Sequence, residues 1–126
     1  MATAIVLSHN DIAYELGHLE PWLAKNGFKV ARSYRELGGQ FPQGDLLIVL
    51  GSPTSVASGY CQPPAAAEIA MVTAWVGQGR PYLGICFGAQ VLARALGGTV
   101  QRMPETFRGY TEIDTAAAPA EVFTGP

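Results

Sequence analysis

Charge, cysteine and long apolar runs are all scarce in this sequence. Of its 126 residues 14% are charged, and 8 Lys+Arg against 10 Asp+Glu leave a net charge of −2. That balance lacks the basic footprint that holds nucleic acid or an anionic lipid surface. Two cysteines are too few for a disulfide framework and favour a reducing compartment. The longest unbroken apolar run is the five residues Leu46–Leu50, against roughly 18 for a membrane span. The start, Met1-Ala2-Thr3-Ala4, has no basic n-region of a signal peptide. No phosphate-cradling glycine motif occurs, and Ser8-His9-Asn10-Asp11 after the first strand is not a dinucleotide fingerprint. No His/Cys/Asp/Glu group has metal-ligand spacing, so neither a cofactor nor a metal is implied.

What remains is 48% hydrophobic, enough to build a core at this length. The expectation is one soluble, cytoplasmic domain over residues 1–126, with no nucleic-acid and no membrane partner. Along the chain, short β-rich runs alternate with helical patterns. Thr3–Ser8 carries Ile5, Val6 and Leu7 together, and Asp45–Leu50 carries Leu46–Leu50 together, rather than alternating with polar residues, as strands covered on both faces do. Phe28–Ser33 and Pro81–Cys86 read as further strands. Leu16, Leu19 and Leu23 mark a helix that begins near Pro21 or bends there, and Asn26-Gly27 closes it. Ala65, Ile69, Val72 and Val76 mark a second helix ended by Gly77 and Gly79, and Phe87–Leu96 a third ended by Gly97-Gly98. Glu36–Gly44 reads as a loop, and Thr99–Arg102 and Tyr110–Asp114 as additional short strands. This order predicts an α/β fold: a doubly wound, flavodoxin-like, mostly parallel sheet with helices on both faces.

The segment that carries chemistry is Pro81-Tyr82-Leu83-Gly84-Ile85-Cys86-Phe87-Gly88-Ala89-Gln90. A strand meets a helix at Cys86 with glycine two residues to either side, a nucleophile elbow with cysteine in the serine position. A nucleophile on so sharp a turn sits in a strained backbone, and side chains at −2 and +2 would collide. At a helix N-terminus, unpaired N–H groups favour a thiolate, and the N–H of Phe87 can donate to an oxyanion formed on attack at a carbonyl. Gly51-Ser52-Pro53 follows the other apolar strand, at the sheet edge where open α/β folds place their sites. The Ser52 N–H is the natural second oxyanion donor. On residues alone, a buried cysteine ending a core strand and an ordinary Gly-Ser-Pro turn remain the alternatives.

Leu50-Gly51-Ser52-Pro53, Pro81–Gln90 and Leu92-Ala93-Arg94-Ala95-Leu96-Gly97-Gly98 together resemble the class I glutamine amidotransferases, in the branch similar to the amidotransferase domain of GMP synthase. The resemblance runs to about Asp114, and its core is Gly-Ile-Cys-x-Gly-x-Gln. It implies that Cys86 attacks the side-chain amide of glutamine and forms a glutamyl thioester. Ammonia is released to a synthetase partner. It makes Ser52 and Phe87 the oxyanion amides and places Gln90 and Gly51 against the substrate. The chain departs from the family's usual Gly-Gly-Pro at Ser52, a change that keeps the backbone donor.

A cysteine amidase also needs an imidazole for proton transfer and a carboxylate to orient it, which the family carries well downstream of the nucleophile. Here the 40 residues after Cys86 contain no histidine. His9 ends the first strand; two strand spacings of about 4.8 Å place it about 10 Å from Cys86, so it reads as a capping or rim residue. His18 reads as surface, as do Glu105, Glu112 and Asp114 at the surface or sheet edge, and Cys61 as incidental. The final residues resemble the connection toward the missing segment, so the chain looks like the first two-thirds of such a domain. A non-catalytic binding or regulatory fragment of the same fold is one alternative. Another is a different elbow-cysteine hydrolase, of the peptidase and deglycase-like kind or an α/β-hydrolase with a thiol.

Overall fold

The computed structural model describes residues 1–37, 43–53 and 65–122. Its elements run β1 (Ala2–Ser8), α1 (Leu19–Lys25), β2 (Phe28–Tyr34), β3 (Leu46–Val49), α2 (Ala65–Gly77), β4 (Tyr82–Gly84) and α3 (Phe87–Ala95). All pairings are parallel and the sheet order is β2-β1-β3-β4. The α/β, flavodoxin-like architecture expected from the sequence is the one observed.

The unbroken apolar runs have a simple cause. Ile5, Leu7, Leu47 and Val49 face one side of the sheet, where they pack with Val72 and Trp75 of α2 and with Phe87 and Val91 of α3. Ala4, Val6, Ile48 and Leu50 face the other side, against Leu16 and against Leu23 of α1. With helices on both faces, neither set of alternate residues meets water, so no polar alternation survives. Trp75 donates its indole N–H to Pro81 O at 2.7 Å, and the Arg80 guanidinium lies 3.5 Å from the centre of the Trp75 ring. This tacks α2 to the entry of β4.

Element boundaries moved by a residue or two from expectation. Leu16 is buried in the turn before α1 rather than within it, and Pro21 is the third helical residue. Amides of the first turn have no intrahelical acceptor, so the missing N–H costs nothing there. The larger correction concerns the C-terminal third. Thr99–Arg102 and Tyr110–Asp114 form no strands; residues 101–117 are exposed, and only Val100 packs against the core. A β-propensive run without a ladder partner or a buried face has nothing to hold it extended. The expected loop Glu36–Gly44 begins in a turn after β2, but residues 38–42 lie outside those described.

Candidate functional site

The C-terminal ends of β1, β3 and β4 share one edge of the sheet, and three short constructions meet there. The first is the turn between β4 and α3. The Ile85 N–H still bonds Val49 O at 2.9 Å, the next residue is Cys86, and the helix begins at Phe87. Cys86 has φ 56° and ψ −109°, a conformation costly for any residue with a Cβ. The flanking glycines show what enforces it. A Cβ on Gly84 would lie 2.4 Å from Gly88 O, and one on Gly88 would lie 2.1 Å from Val49 O. Both contacts are impossible for a side chain, so the sheet end and the helix start approach this closely only with glycine at both positions.

Two further contacts pin the helix start. The Tyr82 hydroxyl donates to Gly88 O at 2.7 Å, and the Phe87 side chain is buried in the core. Burial pushes the Tyr82 hydroxyl well above its ordinary range; the nearby Glu68 charge adds to the shift and Arg35 opposes it. In the first turn of α3, Gly88 N–H donates to Ile85 O while Ala89 and Gln90 N–H donate to Cys86 O. Among the described residues, the Phe87 N–H has no backbone acceptor. The Cys86 thiol is free and exposed.

The second construction is the chain just past β3. Gly51 packs against the turn: a Cβ there would meet Cys86 Cβ at 3.6 Å and Cys86 Sγ at 4.0 Å. The carbonyls of Leu50 and Gly51 lie beyond the β3 ladder and take their hydrogen bonds from Arg35, at 3.3 Å from Nη2 and 3.4 Å from Nη1. Arg35 Nε in turn donates to Glu68 Oε1 at 2.6 Å, a pair whose side chains are only 4% and 9% exposed. The other Glu68 oxygen is buried with no hydrogen-bond partner among the described residues.

The third is a chain of polar contacts across three strands. His9 Nδ1 bonds Glu36 Oε1, and His9 Nε2 lies 2.8 Å from Ser52 Oγ. A carboxylate only accepts, so Nδ1 donates to Glu36, and Nε2 and the Ser52 hydroxyl share the second hydrogen bond. Glu36 Oε2 also accepts from the Asn10 N–H at 3.0 Å. Desolvation pushes the Glu36 carboxyl up, but the His9 hydrogen bond and the backbone amides of Glu36 and Asn10 outweigh it, and the net shift is down.

The structure therefore gathers Cys86, Phe87, Gly51 and Ser52 at one edge, with Gln90 partly buried at the end of the first turn of α3. His9 sits at the edge as expected, with β3 between β1 and β4, and its imidazole bridges the single gap between neighbouring strand ends to reach Ser52. Sequence reasoning missed Glu36, Arg35 and Glu68. The β1–β2 register pairs Ser8 with Tyr34, so Arg35 and Glu36 follow beside His9 and Asn10, which the strand order alone implies. His18, Glu105, Glu112 and Asp114 are exposed, and Cys61 lies outside the described residues. No three His, Cys, Asp or Glu side chains cluster as a metal site among the described residues.

Comparison with known proteins bears on the same segments. Residues 23–125 match the family described as glutamine amidotransferase class-I. Over 84 residues, 67% of the chain, it is 38% identical to the glutamine-hydrolysing GMP synthase of Aeropyrum pernix. Over 72 residues, 56% of the chain, it is 42% identical to that of Thermobifida fusca. The aligned parts are 15% and 12% of those synthases' own lengths. A solved glutamine amidotransferase from Thermotoga maritima superposes with a TM-score of 0.65 at 22% identity, covering 76% of this chain and 43% of that one. No helix among the described residues is long and apolar enough to cross a membrane.

Proposed function

Because the chain belongs to the class-I glutamine amidotransferase family, we propose that it carries the glutamine-hydrolysing half-reaction on Cys86. The thiolate sulfur attacks the side-chain amide carbon of glutamine, and the carbonyl π electrons move onto oxygen. The amides of Ser52 and Phe87 receive that oxyanion. Collapse of the tetrahedral intermediate breaks the C–N bond, and the nitrogen leaves as ammonia with a proton originating on the thiol. A glutamyl thioester remains, which water hydrolyses to glutamate. Gln90 and Gly51 contact the bound glutamine. The ammonia passes to a synthetase partner in the cytoplasm.

The observation that carries this reading is the conformation of Cys86. A φ of 56° at a non-glycine residue, held by two glycines that tolerate no Cβ, is strain of about 1–3 kcal/mol with no packing purpose, because the thiol is exposed. A structural cysteine ending a core strand would be buried and unstrained. The family match and Gln90 favour an amidotransferase over the peptidase and deglycase-like alternative.

Proton transfer is the weak step. No histidine follows Cys86, and His9 is engaged by Glu36 and Ser52. The 126-residue chain is therefore expected to turn over glutamine slowly or not at all. Glutamate release from glutamine, measured beside Cys86→Ala, tests this: slow, Cys86-dependent release supports it. Glutamine binding without any Cys86 chemistry would favour the second reading, a binding or regulatory domain. Alkylation of Cys86 no faster than that of Cys61 would remove the activated nucleophile.

A further inference from the structure

We propose that Arg35 is a positioning residue for the oxyanion side of the site, an inference that rests on reading the Ser52 and Phe87 amides as the donors. A single side chain, 4% exposed, makes four contacts through its guanidinium. It donates to Glu68 of α2 at 2.6 Å, to Leu50 O at 3.3 Å and to Gly51 O at 3.4 Å, and its Cζ lies 4.9 Å from the centre of the Phe87 ring. Its own backbone N–H is held by Ser8 O at 3.0 Å. Arg35 thus connects the ends of β1, β2 and β3 to the first residue of α3.

One planar peptide links two groups, the Gly51 C=O and the Ser52 N–H. In this trans unit they point in opposite directions and cannot turn independently. A donor that fixes the Gly51 oxygen on the Arg35 side aims the Ser52 N–H at the opposite side. Gly51 packs against Cys86, so the direction of this peptide sets where the Ser52 amide points relative to the sulfur. Past the β3 ladder, the Leu50 and Gly51 carbonyls would otherwise be free to seek other partners. A planar fork can hold both carbonyls and Glu68 together, whereas a lysine ammonium on its flexible stem cannot match that geometry. The charges of Arg35 and Glu68 largely offset one another, so the contribution is orientation rather than a net positive field.

The test uses the 126-residue chain, Arg35→Lys, and the paired variant Arg35→Met with Glu68→Leu. The paired variant removes both charges, because stripping one alone would leave the other buried and endanger folding. The first readout is the residual dipolar coupling of the Ser52 amide against those of the β1 and β3 amides. The second is the rate of glutamyl capture by Cys86, with its glutamine dependence, beside alkylation by iodoacetamide, which displaces iodide at a CH2 carbon and forms no oxyanion. Loss of one well-aimed donor lowers such a step by about 10²-fold or more. A misaimed donor is expected to lower capture about 10- to 100-fold, with the half-saturating glutamine concentration within about threefold and alkylation within about twofold.

The Ser52 coupling is expected to change while the strand couplings superpose. Unchanged coupling and capture in the folded variants would overturn the proposal. So would a parallel fall in capture and alkylation, which marks a merely structural role. If the unsubstituted chain captures no glutamyl group at all, the functional reading fails, and the Ser52 coupling still decides whether Arg35 sets the peptide.

Discussion

His9 and Ser52 meet across neighbouring strand ends, with Nε2 of the imidazole 2.8 Å from Oγ of the serine. The contact gives the Ser52 side chain a partner at the site edge. Glu36 holds the other ring nitrogen, Nδ1, and so orients the imidazole toward the serine.

Glu36 makes the acid limb testable. Its folded-state pKa lies below the ordinary value of 4.5, so its contribution to stability is present above about pH 4.5 and is lost as pH falls through the folded-state value. Glu36→Gln is expected to be less stable than the parent at pH 7, and urea midpoints should converge as pH drops toward 3. Midpoints that stay equally separated down to pH 3 would contradict the assignment.

Tyr82 governs the opposite limb. Its hydroxyl is held neutral by burial, so the folded-state pKa is raised and the stabilisation is complete below about pH 10. It is lost as pH rises beyond that, because the unfolded chain then ionises first. The parent should lose stability more steeply than Tyr82→Phe between pH 10 and 11. At pH 7, removing the bond to Gly88 O should cost about 1 kcal/mol, read from urea unfolding.

Cys86 separates strain from chemistry. At φ 56° and ψ −109° an alanine keeps the strain and a glycine relieves it, less the extra unfolded-state entropy of glycine. Cys86→Gly is expected to be about 1 kcal/mol more stable than Cys86→Ala, measured as paired thermal or urea unfolding. Equal stability would mean that the turn is not strained.

Gly88→Ala and Gly84→Ala should each be severely disruptive. The added methyl of the first would fall 2.1 Å from Val49 O and that of the second 2.4 Å from Gly88 O, and backbone on both sides cannot yield. A loss of about 2 kcal/mol or more, with slowed alkylation of Cys86, is the expected outcome in urea unfolding and thiol labelling.

The parts of this molecule visible in sequence were those with a local cause. Ile5-Val6-Leu7 and Leu46–Leu50 announce strands buried on both faces, and glycine two residues either side of Cys86 announces a close approach of strand and helix. The polar contacts were not visible, because His9 and Ser52 are 43 residues apart, His9 and Glu36 are 27 apart, and Arg35 and Glu68 are 33 apart. A lone charged residue in a turn or on a helix carries no periodicity, and only the order β2-β1-β3-β4 brings these ends together. The opposite error occurred at Thr99–Arg102 and Tyr110–Asp114, where strand-like composition had no neighbouring strand to pair with.

The most direct measurement is the intact mass of the chain after incubation with glutamine and an acid quench, with the modified peptide mapped. A gain of one glutamyl group on Cys86, absent from Cys86→Ala and reversed by hydroxylamine, is the predicted result. A chain that shows no adduct at Cys86, or that releases glutamate equally well as Cys86→Ala, would contradict the assignment of acyl capture to that sulfur.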